Sequence, residues 1–206
     1  MDENKSVQAM RQGRRLIVFD DVDVTTQVEH EVGGEKVASA CIVRAANRKT
    51  TRQIHEEIRA SQREKVTVEN PYDALPRWAL AAERLPSFVR RMILRRILAN
   101  PFLIRTLGGT VNLTAVGMVA RGGGWAITIA ETPLSIAVGG IEPEVRVVDG
   151  QFCAREMLSI TLGFDHDVID GAPAARFAAR LKALVESAHG LEALDPAPVS
   201  SSEISP

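Results

Sequence analysis

Apolar and polar positions along the chain change period several times, and each change predicts an element. The run "RLIVFDDVDVTTQVEHEV" (15–32) is apolar and β-branched and predicts one or two strands. "EKVASACIVRA" (35–45) predicts another. "NRKTTRQIHEEIRASQRE" (47–64) then takes up helical spacing, with Ile54 and Ile58 four apart and charges on the other faces. Thr50 or Thr51 stands where an N-cap belongs. Pro71, Pro76 and Pro86 punctuate the next stretch, in which "RWALAAERL" and "SFVRRMILRRILANP" read as helices. Short β-branched runs broken by glycine follow over 108–141 and predict strands. "EVRVVDGQFCAREMLSITLGF" (144–164) predicts a hairpin turning at Asp149-Gly150. "APAARFAARLKALVESAHG" (172–190) is an amphipathic helix expected to close at Gly190.

Residues 1–13 are polar and read as a flexible terminus. Residues 191–206 are Pro/Ser-rich and acidic and read as a disordered tail. Between them, 14–190 is expected to form one α/β domain, layered, with a mixed or antiparallel sheet and an Arg-rich helical insertion at 72–105.

Composition narrows the class. A net charge of −1 among 206 residues gives no bulk attraction to nucleic acid. No apolar run is long enough for a transmembrane helix, and "MDENKSVQAMRQGRR" lacks the apolar core of a signal peptide. Cys41 and Cys153 have no metal or redox spacing. They read as packed, reduced thiols, and the expected compartment is the cytoplasm.

One segment departs from that balance. From Arg77 to Arg105 there are seven arginines (77, 84, 90, 91, 95, 96, 105) against one acid, Glu83. Three readings stand: a solvated basic face, a site for an anion such as a nucleotide phosphate or a membrane surface, or a partner-protein surface.

The densest chemistry lies in "ITLGFDHDVIDGAPAARF" (160–177), where Asp165, His166, Asp167 and Asp170 fall between a strand and a helix. Such a junction is a frequent place for a catalytic group, because the strand fixes the backbone while the side chain reaches a cleft. A metal site needs three or four converging ligands, and His30, His55 and His189 have no ligand spacing, so no metal is expected. A structural turn with Asp170 as helix N-cap is the second reading. A histidine general base acting on a thiol or hydroxyl is the third.

The pattern His166-Asp167-Val168-Ile169-Asp170-Gly171, with an apolar strand before it and "AARF" after it, resembles the catalytic domain of 2-oxo acid dehydrogenase acyltransferases. That dihydrolipoamide acyltransferase core belongs to the superfamily of chloramphenicol acetyltransferase, which shares His-x-x-x-Asp-Gly. "GGTVNLTAVG" (108–117) resembles the family's Gly-Gly-Thr-Phe-Thr-Ile-Ser-Asn-Leu-Gly strand, with Thr114 on the family's hydroxyl position, 52 residues before His166. "PLSIAVGGIEPEVRVVDGQFCAREMLSITLGFDH" resembles the strand and hairpin leading to the histidine. "RAANRKTTRQIHEEIR" resembles the Asp-Ala-Asp-x-Lys-Ser-Leu-x-Glu-Ile segment. The likeness covers roughly 14–66 and 106–188.

The resemblance implies a chloramphenicol-acetyltransferase-like two-layer fold with a mixed sheet and packed helices. It implies CoA or acyl-CoA as substrate, His166 as general base, Thr114 as oxyanion donor and Asp170 as support for the loop. It further implies a homotrimer with active sites between subunits. No lipoyl domain precedes the core, so the lipoyl group is expected on another chain, a lipoyl-domain protein or another subunit of a 2-oxo acid dehydrogenase complex. Asp167 stands where the family has arginine, reversing a charge beside the base. The family domain opens with a further strand, helix and strand, which points to a shortened variant or to a part supplied by another polypeptide.

Arg95 and Arg96 are candidate contacts for the CoA phosphates, with Arg90 and Arg91 beside them. Gly122, Gly123 and Gly124 form either a close backbone approach to ligand or a hairpin tip. Trp125 and Trp78 either line an acyl or pantetheine channel or pack in the core. Two other functions remain open: a catalytically idle core that scaffolds a larger acyltransferase assembly, and an acyltransferase acting on a small amine or alcohol.

Overall fold

The structure, a computed structural model, describes residues 2–32, 35–63, 85–117, 124–128 and 132–191. The predicted 77–85 helix (all but its last residue), Arg77, Arg84, Trp78, Gly122, Gly123 and the tail beyond 191 lie outside the described residues.

The β-branched runs form seven strands: β1 (Met10–Gln12), β2 (Arg15–Ile17), β3 (Val24–Val32), β4 (Glu35–Val43), β5 (Val111–Ala115), β6 (Leu134–Val148) and β7 (Gln151–Phe164). The helices are α1 (Thr51–Arg63), α2 (Ser87–Leu98), α3 (Pro101–Gly108) and α4 (Gly171–Glu186). β1 and β2 pair as a small hairpin. The other five make one mixed sheet ordered β4-β3-β5-β6-β7, in which β3, β5 and β6 run parallel and the two edge strands antiparallel. This is the expected two-layer α/β architecture.

Strand register divides the sheet into two unlike faces, because successive side chains point to opposite sides. One face carries the row Val43, Val24, Val111, Leu134, Phe164, and beside it Cys41, Thr26, Leu113, Ile136, Leu162. The helices cover this apolar face. Phe177 of α4, 7% exposed, meets Phe164 edge-on at 6.0 Å, and Ala174 and Leu181 pack around the same cluster. Ile54 and Ile58 of α1 pack on Val28, Cys41 and Val43. Of the two candidate caps, Thr50 fills the role: its Oγ1 accepts from Gln53 N, and Gln53 Oε1 accepts from Thr50 N. The other face of the sheet carries small and polar residues, in rows Thr25, Asn112, Ser135, Gly163 and Thr114, Ala137, Thr161.

The hairpin turns where its sequence predicts. Asp149 (φ 52°) and Gly150 (φ 77°) both take the left-handed conformation that a tight two-residue loop requires. Strand β5 pairs with β6 only as far as Val138, so 141–158 extends past the sheet as a two-stranded ribbon. Its face formed by Ile141, Pro143, Val145, Val147 and their partners Leu158, Glu156, Ala154, Phe152 is almost wholly apolar, while Glu142, Glu144, Arg146, Cys153 and Arg155 take the opposite side.

Two expectations are corrected. Residues 1–13 are not a flexible terminus: Asp2–Gln8 is a 3-10 helix, Val7, Gln8, Ala9 and Met10 are buried, and β1 follows. The polar Gln8 is buried because both ends of its amide are satisfied, Nε2 donating to Phe19 O and Oε1 accepting from Thr110 Oγ1. The C-terminal helix ends at Glu186, and Gly190 (φ 83°) lies in the turn after it. The stretch "SFVRRMILRRILANP" forms the predicted helix over Ser87–Leu98, and Asn100 then caps a new helix with Pro101 at its first position.

Candidate active site

Asp23 anchors the strand that leads to Thr114. The residue is 1% exposed, and its carboxylate accepts from Arg105 Nε (2.7 Å), Ala45 N (2.8 Å) and Arg44 Nη1 (3.1 Å). Burial alone raises its pKa, but the hydrogen bonds from Arg105, the Ala45 amide and Arg44 outweigh it and hold the carboxyl below the ordinary carboxylate value. The same hydrogen bond raises the Arg105 guanidinium above its usual value. Arg105 also stacks on Phe19, its Cζ 4.9 Å from the ring centroid. Arg105 is therefore not part of a free basic patch. Arg44 completes the joint by donating to the Arg105 and Thr106 carbonyls in the last turn of α3, which carry the negative end of the helix dipole. The backbone carbonyl of Asp23 accepts from Thr110 N and Val111 N, which starts β5.

Thr114 sits near the end of β5, half-buried, on the helix-free face of the sheet. Beyond it, the backbone closes on β6 so tightly that a Cβ on Gly117 would lie 2.1 Å from Gly139 O. In the adjacent row, Ser135 is wholly buried and its hydroxyl has no partner among the described residues.

His166 lies at the opposite end of the strands. The turn that carries it is held by Asp165. Asp165 N donates to Pro133 O (3.0 Å), its carbonyl accepts from Val168 N and Ile169 N, and its carboxylate accepts from Asp167 N (3.0 Å). Ile169, 3% exposed, plugs the turn into the core. His166 itself is exposed, and its ring has no partner among the described residues. Asp170 occupies the N-cap position of α4, as one reading expects, and its carbonyl accepts from Ala174 N. Its side chain makes no capping bond. Arg11 of β1 stands 3.6 Å from Asp167, which sets a positive charge back beside the histidine loop.

The register keeps Thr114 and His166 apart within one chain. Phe164 is level with Val111 across two strand spacings, so His166 lies beyond one end of the row and Thr114 three residues the other way. With about 3.3 Å per residue and about 4.8 Å between strands, their backbones are separated by roughly 15 Å or more.

The remaining candidates fall elsewhere. Arg95 and Arg96, with Arg91, line an open groove of about 740 Å³ on α2. Trp125 is 73% exposed and packs in no core. Gly123 lies outside the described residues. No group of three or more His, Cys, Asp or Glu among the described residues could hold a metal, and no described helix is long and apolar enough to cross a membrane. Sequence reasoning missed Arg11 and Asp23 and singled out Asp165 without its role in holding the turn, because these roles depend on partners far along the chain or on backbone groups.

Residues 105–192 match the family described as 2-oxoacid dehydrogenases acyltransferase (catalytic domain). Over 82 residues the chain is 37% identical to the lipoamide acyltransferase component of the branched-chain alpha-keto acid dehydrogenase complex of Pseudomonas putida, covering 38% of this chain and 19% of that protein. The matched stretch thus spans about a fifth of the length of the curated relatives. Among solved structures, the dihydrolipoamide acetyltransferase of Azotobacter vinelandii superposes with a TM-score of 0.59 at 20% identity, over 93% of this chain and 65% of that one. The cubic core of the pyruvate dehydrogenase multienzyme complex gives a TM-score of 0.56 at 20% identity, over 89% and 62%. Residues 105–192 are therefore similar to the catalytic domain of the 2-oxoacid dehydrogenases acyltransferases, and the chain shares the fold of the solved acyltransferase cores.

Proposed function

We propose that this chain transfers an acyl group between CoA and a thiol acceptor of the dihydrolipoyl type, with His166 as general base and Thr114 as oxyanion donor. His166 takes the proton from the acceptor thiol as its sulfur attacks the thioester carbonyl. The carbonyl oxygen gains negative charge and accepts a hydrogen bond from the Thr114 hydroxyl. The tetrahedral intermediate then collapses, the C–S bond to CoA breaks, and the leaving thiolate takes the proton from His166. Asp170 keeps the start of α4 in place beside the loop.

One observation carries the reading. The Azotobacter vinelandii enzyme was studied for the roles of a serine, a histidine and an asparagine in its catalytic mechanism, the serine 52 positions before the histidine and the asparagine four after it. Thr114, His166 and Asp170 repeat that spacing inside the segment that matches the family, with a hydroxyl and an imidazole at the first two positions and a carboxylate where that enzyme has an amide. Because one chain holds Thr114 and His166 far apart, the working site takes His166 from one copy and Thr114 from the next, in a homotrimer. The apolar ribbon supports association: Ile141, Val145, Val147 and Phe152 are 62%, 71%, 63% and 83% exposed in the single chain. The acceptor is a lipoyl group of a 2-oxo acid dehydrogenase complex in the cytoplasm.

The test is acetyl-CoA turnover, read as thiol release, with dihydrolipoamide as acceptor. His166→Ala abolishes turnover, and Thr114→Ala lowers kcat by about 100- to 1000-fold, the usual effect of losing one oxyanion donor. A second reading, a core that scaffolds an acyltransferase assembly without catalysing, is favoured by the His166 ring having no partner among the described residues to fix its tautomer. Full-length, trimeric protein with no turnover on any CoA thioester would establish it. Turnover with small amines or alcohols but not dihydrolipoamide would move the acceptor outside the lipoyl class.

A further inference from the structure

Two surfaces of this chain are exposed and apolar and carry charge of opposite sign. The first is helix α2, SFVRRMILRRIL, which has no acidic residue. Val89, Ile93 and Ile97 are half-buried, and the rest of the helix is exposed. At 3.6 residues per turn the face away from those three places Arg91 and Arg95 in the middle, with Leu94 and Leu98 on one flank and Phe88 and Met92 on the other. Neither arginine has a side-chain partner among the described residues. They are one turn apart, a like-charge spacing that weakens a helix until an anion sits between them.

The second surface is the apolar face of the 141–158 ribbon. Glu156 is its one charged residue, opposite Pro143 and framed by Leu158 and Ala154 on its own strand. It is exposed and has no partner among the described residues, whereas Glu144 on the other side of the ribbon pairs with Arg146. A single carboxylate set in an apolar face thus answers a short row of arginines set between apolar flanks.

The signs of these charges decide which surfaces can meet. Two copies joined α2 to α2 would bring arginines against arginines. Two copies joined ribbon to ribbon would bury two carboxylates without a counter-ion, which is costly. Only the unlike pairing, ribbon on α2, covers both apolar surfaces and pairs both charges. Such a contact is head-to-tail, the kind that closes into a ring rather than a two-fold dimer.

We infer that the ribbon of one copy docks on the outer face of α2 of the next, with Glu156 between Arg91 and Arg95, and that this contact closes the trimer. The inference rests on the divided site of the acyl-transfer reading and adds which two surfaces meet. The places of the site residues agree with it. Thr114 pairs with Ala137, at the root of the ribbon that starts at Ile141. At the end of α2, Leu98 and Ala99 border the same depression as Asp165 and Asp167, which flank His166. The contact therefore carries Thr114 of one copy toward His166 of its neighbour, a meeting that the register of a single chain forbids.

Sedimentation of the full chain over a concentration series tests this. The samples are the wild type, Glu156→Arg, Arg91→Glu/Arg95→Glu, all three changes together, and Arg90→Glu as a control for charge elsewhere on the same helix. Glu156→Arg and the double α2 variant are each expected to raise the concentration for half-assembly at least about tenfold while keeping the circular dichroism spectrum. The three changes together restore opposite signs and bring assembly back to within about threefold of wild type, where Arg90→Glu also stays. A Glu156→Arg protein that assembles as the wild type does overturns the contact, as does a triple variant no better than its parents. A wild type that remains a single chain overturns it too, and binding to phosphatidylglycerol vesicles lost only in the double α2 variant would then assign α2 to a lipid surface. Acetyl-CoA turnover of the same samples separates contact from chemistry. Charge-restored trimers with no turnover in any sample, wild type included, would refute acyl transfer and leave the contact standing. Turnover in a Glu156→Arg trimer would keep the chemistry and remove the contact.

Discussion

Replacing Asp23 by asparagine tests the joint that holds β5 in place. The shape is kept and the charge is lost. Of the two side-chain oxygens, Oδ1 serves the Ala45 amide and Oδ2 serves Arg105 and Arg44. An asparagine that turns its oxygen to Ala45 presents an amide N–H pair to two guanidinium groups, donor against donor. Charge-assisted bonds of this kind are worth about 1.5–3 kcal/mol each, and removing one member of a buried pair costs about 3–5 kcal/mol. The arginines are not deeply buried, with side chains 44% and 27% exposed, so water partly replaces the lost partner. The lower end applies, about 3 kcal/mol, or roughly 6–12 °C in Tm for a chain of this size. Urea unfolding at pH 7 and fixed protein concentration measures it, and a loss below about 1 kcal/mol with an unchanged m value would refute the account. The pH dependence has a definite sign. The folded-state pKa of Asp23 is depressed, so its stabilisation is complete above the unfolded value of about 3.9 and is lost as pH falls through the lower folded value. The gap between wild type and variant should narrow below about pH 4.

Three further perturbations probe other joints. Gly109→Ala places a Cβ 2.6 Å from Asp23 O at a φ of +70°, and should cost at least about 2 kcal/mol in urea unfolding and lower kcat, because Thr114 lies on the strand that starts next to it. Phe177→Ala removes the ring that pins α4 to Phe164 and should cost about 3–5 kcal/mol by the same assay. Val145→Glu with Phe152→Glu places charges on the apolar ribbon face. Analytical ultracentrifugation should show a folded single chain where the wild type is expected to sediment as the proposed trimer, and a trimer in the variant would remove the ribbon from the interface.

The parts of this fold legible in the sequence are those governed by neighbours. Asp149-Gly150 announces its turn because the left-handed conformation is a local demand, and Thr50 with Gln53 announces a helix start for the same reason. The apolar rows of β3, β5, β6 and β7 are legible as β-branched runs. What escaped is long-range. Gln8 looks like part of a polar terminus until Thr110, 102 residues away, satisfies its amide. Asp23 lies in a run that reads only as strand, and its partners Arg44 and Arg105 are 21 and 82 positions on. For the site, the spacing of Thr114 and His166 was readable. That one sheet holds them at opposite ends follows only from register.

The burial of the N-terminal segment has a consequence for how the chain is made. Val7 packs in a cluster with Val111, Leu134, Ile169 and Phe177, and Glu3 is gripped by Arg180, 177 positions later. During vectorial synthesis the segment that leaves the ribosome early waits for its partners until nearly the whole domain has emerged. Closing such long loops is slow, and apolar side chains stay exposed meanwhile. Folding of this domain is thus set to be a late, all-at-once event rather than a progressive one, and nascent chains halted before Phe177 should remain protease-sensitive throughout.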